Sequence, residues 1–228
     1  ERTARKAGYS IGLEVIGKPE HFRGPKSEEA LGAIKENLLS VARGASFVVH
    51  GFSGERVYTE GIADMRADTG KELLGIYTKL AKEIGAHLVH VHAGAGYTNK
   101  MLRPATMPKI NAHKDEGINK VRENLITHQK LYADTCMFGI ENLPTPSMGD
   151  VDNNPDTVWR DCVESVDDCM GVVRDSDLVI AYDTAHYGAD RRGEIDLVEP
   201  VKRIGNHLGH VHISDVSGYS VPFTSVWK

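Results

Sequence analysis

The chain has 228 residues, enough to bury a sizeable core as one domain. Its 27 Lys and Arg against 32 Asp and Glu give a formal charge of −5, so no global positive charge draws it to nucleic acid. No apolar run approaches the roughly 20 residues that span a bilayer, and the charged start ERTARKAGYS is not a signal peptide. Cys136, Cys162 and Cys169 form no C-x-x-C pair, which favours free or buried thiols in a reducing cytoplasm.

Short β-rich runs alternate with longer helical patterns along the chain. The sequence predicts strands at 10–17, 46–52, 87–92, 137–143, 178–183 and 208–213. It predicts helices at 27–43, 68–83, 115–135, 156–174 and 194–204, and long irregular stretches at 51–67, 93–114 and 144–155. Strand starts about 40 residues apart indicate βα units of a parallel sheet. Strands that are apolar almost throughout are typical of sheets covered on both faces.

The two ends of the sequence bear on the fold class. Residues 1–8 resemble the last turns of a helix, and residues 217–228 resemble a loop that leads to another strand. A complete eight-stranded barrel takes about 250 residues. We therefore expect an α/β fold, a single TIM (β/α)8-type barrel domain over residues 1–228 that lacks the first and last strands. The alternative is an open doubly wound sheet, which normally places its site at one switch point.

Histidines and carboxylates stand at the ends of five consecutive apolar runs. They are His50, His92, Glu141, Asp183 with His186, and His212. In a barrel the carboxyl ends of the strands converge and build the active site, which is why we prefer the barrel. Imidazole and carboxylate groups from separate strands are ligands of divalent metals. Burying Glu141 and Asp183 without a cation would cost several kcal/mol, so the sequence predicts that all six residues bind metal.

Strand alternation places two further histidines on the same face. His90 shares a face with His92, and His210 shares one with His212. If that face is the barrel interior, His90 and His210 lie one layer deeper and are expected to support the ligands or fill the core. For each residue the alternative is a purely structural role, since a strand-end histidine often only makes hydrogen bonds. The chain has no P-loop or dinucleotide fingerprint, and no organic cofactor is expected.

Four motifs resemble those of the xylose-isomerase-like barrel superfamily, which contains sugar isomerases and epimerases and the endonuclease IV repair enzymes. The motifs are HAG at 92–94, GIENLP at 139–144, YDTAH at 182–186 and HVHISD at 210–215. For the sugar isomerases, the resemblance implies one Mn-, Zn-, Mg- or Co-type ion on Glu141, Asp183 and His212, with His186 touching substrate. Catalysis would fall to Glu141 and His186, which would transfer a proton beside a carbonyl of a small sugar or sugar derivative.

Endonuclease IV is the second branch that the motifs resemble. It implies an apurinic-site DNA phosphodiesterase with a multinuclear zinc site, and all six predicted ligands match its pattern. The pattern also needs an Asp-x-His pair after His212, which the following ISDVSGYSVPFTSVWK lacks. DNA is a partner only in this alternative, through basic residues such as Lys100, Arg103 and Lys109. A non-catalytic scaffold that binds a sugar or a partner is the third alternative. No membrane partner is expected, and a homo-oligomer is left open.

Overall fold

The computed structural model describes residues 12–16, 27–42, 44–51, 64–93, 95–98, 107–143, 159–189 and 196–213. The strands within these ranges are β1 (Gly12–Ile16), β2 (Ser46–Gly51), β3 (Leu88–Val91), β4 (Ala95–Thr98), β5 (Met137–Glu141), β6 (Trp159–Asp161), β7 (Val179–Asp183) and β8 (Leu208–His212). The helices are α1 (Ser27–Val41), α2 (Asp68–Ile84), α3 (Met107–Leu131), α4 (Val166–Val173), α5 (Thr184–Ala189) and α6 (Val198–Ile204), followed by a 3-10 turn at Gly205–His207.

Six strands form one parallel sheet with the order β1-β2-β3-β5-β7-β8. Neighbours in this sheet follow the order of the chain without reversal. A barrel has this order, whereas a doubly wound sheet reverses its order at a switch point. The sheet is therefore a half-barrel with helices, and the predicted barrel-type fold is confirmed over the doubly wound alternative.

Several elements differ from the sequence prediction, and one of them, α5 (Thr184–Ala189), is a helix where none was predicted. β4 and β6 pair antiparallel, although 93–114 was expected to be irregular and 156–174 to be one helix. Helix α3 begins at Met107 rather than at residue 115, which is compatible with Pro108 because the first helical turn needs no proline N–H. Helix α4 begins only at Val166, because Ser165 and Asp168 form a reciprocal capping box at its start.

The sheet separates two apolar regions. Its outer face packs against the helices in the main core, through Phe47, Val49, Val89, Val91, Phe138, Ile140, Ile180 and Tyr182. The inner face carries a small cluster of Val48, Leu88 and Val179. Gly139 also lies on this inner face, where a Cβ atom would come within 2.9 Å of the Val179 carbonyl oxygen. Inner-face positions further along the same strands are polar, and they form the site described below.

Cys136, Cys162 and Cys169 are all buried, in agreement with the sequence prediction. In the described part of the chain, no helix is both long enough and apolar enough to cross a membrane.

His128 on α3 is a buried histidine outside the polar inner face. The Thr78 hydroxyl donates to the Leu74 carbonyl, so its oxygen can accept from His128 Nε2 at 2.8 Å. Burial lowers the pKa of His128 to about 4. An unfolded histidine titrates near pH 6.5, so unfolding takes up a proton between these two pH values. The stability of the fold therefore falls as pH drops through this window.

His128→Gln is expected to remove this part of the acid sensitivity. Gln can still donate to Thr78 but does not titrate. Between pH 7 and 4 the free energy of unfolding should therefore fall less in the variant than in the parent, and the difference should be up to about 3 kcal/mol. Urea unfolding at the two pH values measures the difference. His87→Gln, at an exposed histidine, is the control. Equal acid losses in His128→Gln and the parent chain would contradict the assignment.

Candidate metal centre

Three carboxylates and six histidines converge on the inner face near the carboxyl ends of the strands. This histidine–carboxylate cluster consists of Glu14, Glu141, Asp183, His50, His90, His92, His186, His210 and His212. Each sheet strand contributes at least one member, and His186 comes from α5, directly after β7. Residues far apart in sequence thus meet because parallel strands end at the same edge of the sheet.

Glu141 lies at the centre of the cluster, with a side chain that is only 1% exposed. Its Oε2 is 3.1 Å from His50 Nε2 and 3.5 Å from His92 Nε2. Its Oε1 is 3.3 Å from both His186 Nδ1 and His212 Nδ1. Despite these short distances, neither oxygen has a hydrogen bond of acceptable geometry within the described residues. A buried carboxylate without hydrogen bonds is costly, and a bound cation removes that cost.

The spacing of the donor atoms also fits a metal ion. Two ligands at about 2.0–2.1 Å from a tetrahedral zinc ion lie about 3.3 Å from each other. His50 Nε2 and His92 Nε2 are 3.2 Å apart. Ligand atoms of Glu141, Asp183 and His186, which we call the upper set, all lie within 4.8 Å of one another. Carboxylate and imidazole groups together suit divalent ions such as zinc and manganese.

Asn142 fixes the backbone on which the upper set stands. Its side chain accepts from the Asp183 N–H at 2.8 Å and donates to the Asp183 carbonyl at 3.0 Å. The Asn142 carbonyl lies 2.9 Å from His186 Nδ1, and Asp183 Oδ1 accepts from the His186 N–H at 2.8 Å. Asn142 therefore joins the end of β5 to the end of β7 and orients two members of the upper set.

Glu14 on β1 is a cluster member that the sequence analysis missed. Its Oε2 lies 2.6 Å from His212 Nε2 and 3.0 Å from His210 Nε2, and its Oε1 lies 3.2 Å from His50 Nδ1. The prediction relied on residues at strand ends, whereas Glu14 lies in the middle of its strand. A carboxylate inside the apolar run GLEVI was the signal that could have found it.

The cluster holds opposite charges close together. Burial by itself favours neutral Glu141, but the charges of His50 and His92 bring the pKa of this carboxyl well below its usual range. Burial also opposes charge on His212, but hydrogen bonds, first of all to Asp183, raise the pKa of this imidazole to about 12. Burial lowers the pKa of His50 to about 4, so this imidazole is charged only in acid, where its charge opposes protonation of Glu141. A neutral imidazole and an ionised carboxylate are the forms that bind metals.

All six residues predicted as metal ligands lie in the cluster. The buried ones are His50, His92, Glu141, Asp183 and His186, and His212 is half-buried. Their binding of a metal stays a prediction. Lys100 and Arg103 lie outside the described residues, and so does the side chain of Lys109.

A half-barrel with a histidine–carboxylate cluster at its strand ends defines a protein of the β/α-barrel class. More specifically, the chain belongs to the xylose isomerase-like TIM barrel family, which matches residues 2–223. No curated protein matches the sequence.

Solved structures with the same fold include epimerases and an endonuclease. A D-tagatose 3-epimerase-like protein matches with a TM-score of 0.60 and 18% identity, over 94% of this chain and 72% of that one. The 3-keto-D-glucoside 4-epimerase of E. coli matches with a TM-score of 0.57 and 19% identity, over 99% and 78%. Endonuclease IV from Thermus thermophilus matches with a TM-score of 0.53 and 17% identity, over 94% and 70%. At these identities the likeness shows the fold alone.

Proposed function

We propose that this chain is a divalent-metal-dependent isomerase or epimerase that acts on a small sugar or sugar derivative. The observation that carries the proposal is the upper set, whose ligand atoms lie within 4.8 Å of one another. The Glu141 oxygens at its centre have no hydrogen-bond partner among the residues that the structure describes. Two of the similar structures, an epimerase-like protein and an epimerase, support this choice. In this proposal residues 1–228 form one barrel domain, and no organic cofactor takes part.

Glu141 and Asp183 of the upper set would hold the ion together with His212, and manganese, zinc, magnesium and cobalt are the candidates. His186, the third member of the upper set, would lie beside the ion and face the substrate. The three proposed ligand side chains already lie in mutual contact, since His212 Nδ1 is 3.2 Å from Asp183 Oδ2 and 3.3 Å from Glu141 Oε1. His50 and His92 are also within reach of the Glu141 carboxylate. A bound ion would supply Lewis acidity that polarises a substrate carbonyl and acidifies the neighbouring C–H.

The chain's own residues would move the proton and hold the substrate. Glu141 is ionised because the charges around it lower the pKa of its carboxyl, so it can accept a proton from carbon. A carboxylate with a low pKa is a weak base, which is why the substrate C–H must be acidified. His186, held by the Asn142 carbonyl and beside Glu141, would contact a substrate oxygen.

The test is a screen of small ketoses and keto sugars in D2O, with each candidate metal supplied and products followed by NMR. We expect the chain to form an isomer or epimer of one sugar and Asp183→Asn to abolish the reaction. Asp177→Asn, at an exposed carboxylate, is the matched control and should remain active. Deuterium at the substrate carbon would mark proton transfer, and product without deuterium would indicate a hydride shift. A metal-loaded chain that converts none of the sugars would contradict the proposal.

One observation favours a second candidate, an endonuclease IV-like phosphodiesterase. Glu141 presents Oε2 to His50 and His92 and presents Oε1 to His186 and His212, so its carboxylate could bridge two ions. Paired ions stabilise the attacking and leaving oxygens in phosphate displacement. This candidate requires zinc-dependent nicking of a duplex with an abasic site, and the loss of nicking in His92→Gln. If the zinc-loaded chain left the duplex intact, the candidate would be rejected. A chain that binds metal but performs neither reaction would favour the binding-scaffold alternative.

A further inference from the structure

Another group of donor atoms lies deeper in the barrel interior than the upper set. It consists of Glu14, His90, His210 and the Nε2 atom of His212, and we call it the deep set. His90 and His210 stand two residues before His92 and His212 on their strands, further from the carboxyl ends. The four ligand atoms lie within 4.8 Å of one another. We propose that the deep set is a second metal site, which binds a zinc-type divalent ion.

His90 gives the strongest reason for an ion at this place. Its side chain is fully buried, and neither ring nitrogen has a hydrogen bond within the described residues. An unsatisfied buried polar group costs about 1–3 kcal/mol. Its Nε2 lies 3.5 Å from Glu14 Oε2, and its Nδ1 lies 3.2 Å from Glu141 Oε2. An ion on Nε2 would leave Nδ1–H to face a carboxylate, the usual arrangement of a metal-bound histidine.

The geometry around Glu14 fits a site with three nitrogens and one oxygen. In a tetrahedral zinc site, each nitrogen lies about 3.3 Å from the oxygen. His210 Nε2 and His90 Nε2 lie 3.0 and 3.5 Å from Glu14 Oε2, close to that value. His212 Nε2 is nearer, at 2.6 Å, which is a hydrogen-bond distance. This pair would separate by roughly 0.7 Å when both atoms bind an ion.

The deep set and the upper set differ in the metals that they suit. Three imidazoles with one carboxylate favour zinc, cobalt or nickel, whereas Glu141 and Asp183 also suit manganese or magnesium. His212 lies between the sets, since its Nε2 faces Glu14 and its Nδ1 faces Asp183. With both ions bound, its ring would release its remaining N–H proton to solvent and bridge the two sites as an imidazolate. His210 contacts Glu14 and packs near the rings of His90 and His212. Replacing His210 should therefore remove a ligand of the deep set and leave the upper set intact.

The experiment compares metal content in the full chain and in two variants, His210→Gln and Asp183→Asn. Each protein is loaded with zinc, dialysed against metal-free buffer and analysed by elemental mass spectrometry. We expect His210→Gln to lose about one zinc ion per chain and to keep the ion that Asp183→Asn loses. The double variant should lose both ions. Full zinc content in His210→Gln, or loss of the same single ion in both variants, would overturn the proposal.

A cobalt spectrum provides a second readout that does not depend on the total count. Cobalt in the deep set should contribute the visible absorption of a tetrahedral site in the parent chain and in Asp183→Asn, and this contribution should be lost in His210→Gln. Glu14→Gln should behave like His210→Gln, and it replaces that variant if circular dichroism shows misfolding. An unchanged band in Glu14→Gln would overturn the assignment. Failure of the sugar screen leaves these metal measurements unaffected, so the two proposals fail independently.

Discussion

Glu141→Gln is expected to weaken metal binding by the upper set more than about 100-fold. Removing an outer partner of a metal ligand typically costs 10–100-fold in affinity, and a direct ligand should cost more. Glu141 supplies two oxygens at the centre of the cluster, and five imidazole nitrogens lie within 3.5 Å of them. The amide keeps the size of the side chain but removes its negative charge. The isomerase activity that we propose should disappear with the metal.

Competition with a chromophoric chelator measures the affinity of the full chain and of the variant. Glu36→Gln, at an exposed carboxylate on α1, is the control for the loss of one charge and should bind like the parent. The deep set does not need Glu141 as a direct ligand, so one ion should remain in Glu141→Gln. Equal affinities of the parent chain and Glu141→Gln would exclude Glu141 as a ligand.

The strand-end residues could be predicted because two local patterns point to them. Near-continuous apolar runs identify buried parallel strands, and alternation assigns each polar residue to a face. Parallel strands in a barrel end at one rim, so His92, Glu141 and Asp183 had to lie close together once the strands were recognised. The structure places them there, and Glu141 in the middle.

The partners of Glu14 could not be predicted from any local pattern. Glu14 lies opposite Val48 in the sheet register, and His212 lies opposite Asp183 on the strand at the other edge. Only the curvature of the six-stranded sheet brings β1 and β8 across the interior, where Glu14 Oε2 meets His212 Nε2. Curvature of this kind arises from strand twist and stagger over the whole sheet.

The β4–β6 pair escaped prediction for a related reason. Its two strands are short, and each becomes a strand through pairing with a distant segment. The sequence predicts WRD at 159–161 as part of a helix because helical residues follow it. The capping box of Ser165 and Asp168 marks where the helix begins. These two residues lie inside the predicted helix 156–174, so the capping signal was hidden by the longer helical pattern.

Asn142→Ala is expected to lower both stability and metal affinity, because this side chain holds the Asp183 backbone with two hydrogen bonds. The change leaves a buried N–H and a buried carbonyl without these partners, at a cost of about 2–4 kcal/mol. It also frees Asp183 and His186 to move relative to Glu141. Affinity of the upper set should fall about 10–100-fold, as for other partners that orient ligands.

Asn124→Ala separates these two effects. Asn124 is also buried, and it donates to the Met65 carbonyl at 2.6 Å rather than to a member of the cluster. Its loss should lower the free energy of unfolding in urea and leave metal affinity unchanged. Asn142→Ala should lower both quantities, because Asn142 links β5 to the residues that would hold the ion. If the two variants reduced metal affinity equally, general destabilisation would explain the loss, and Asn142 would have no specific role in positioning the ligands.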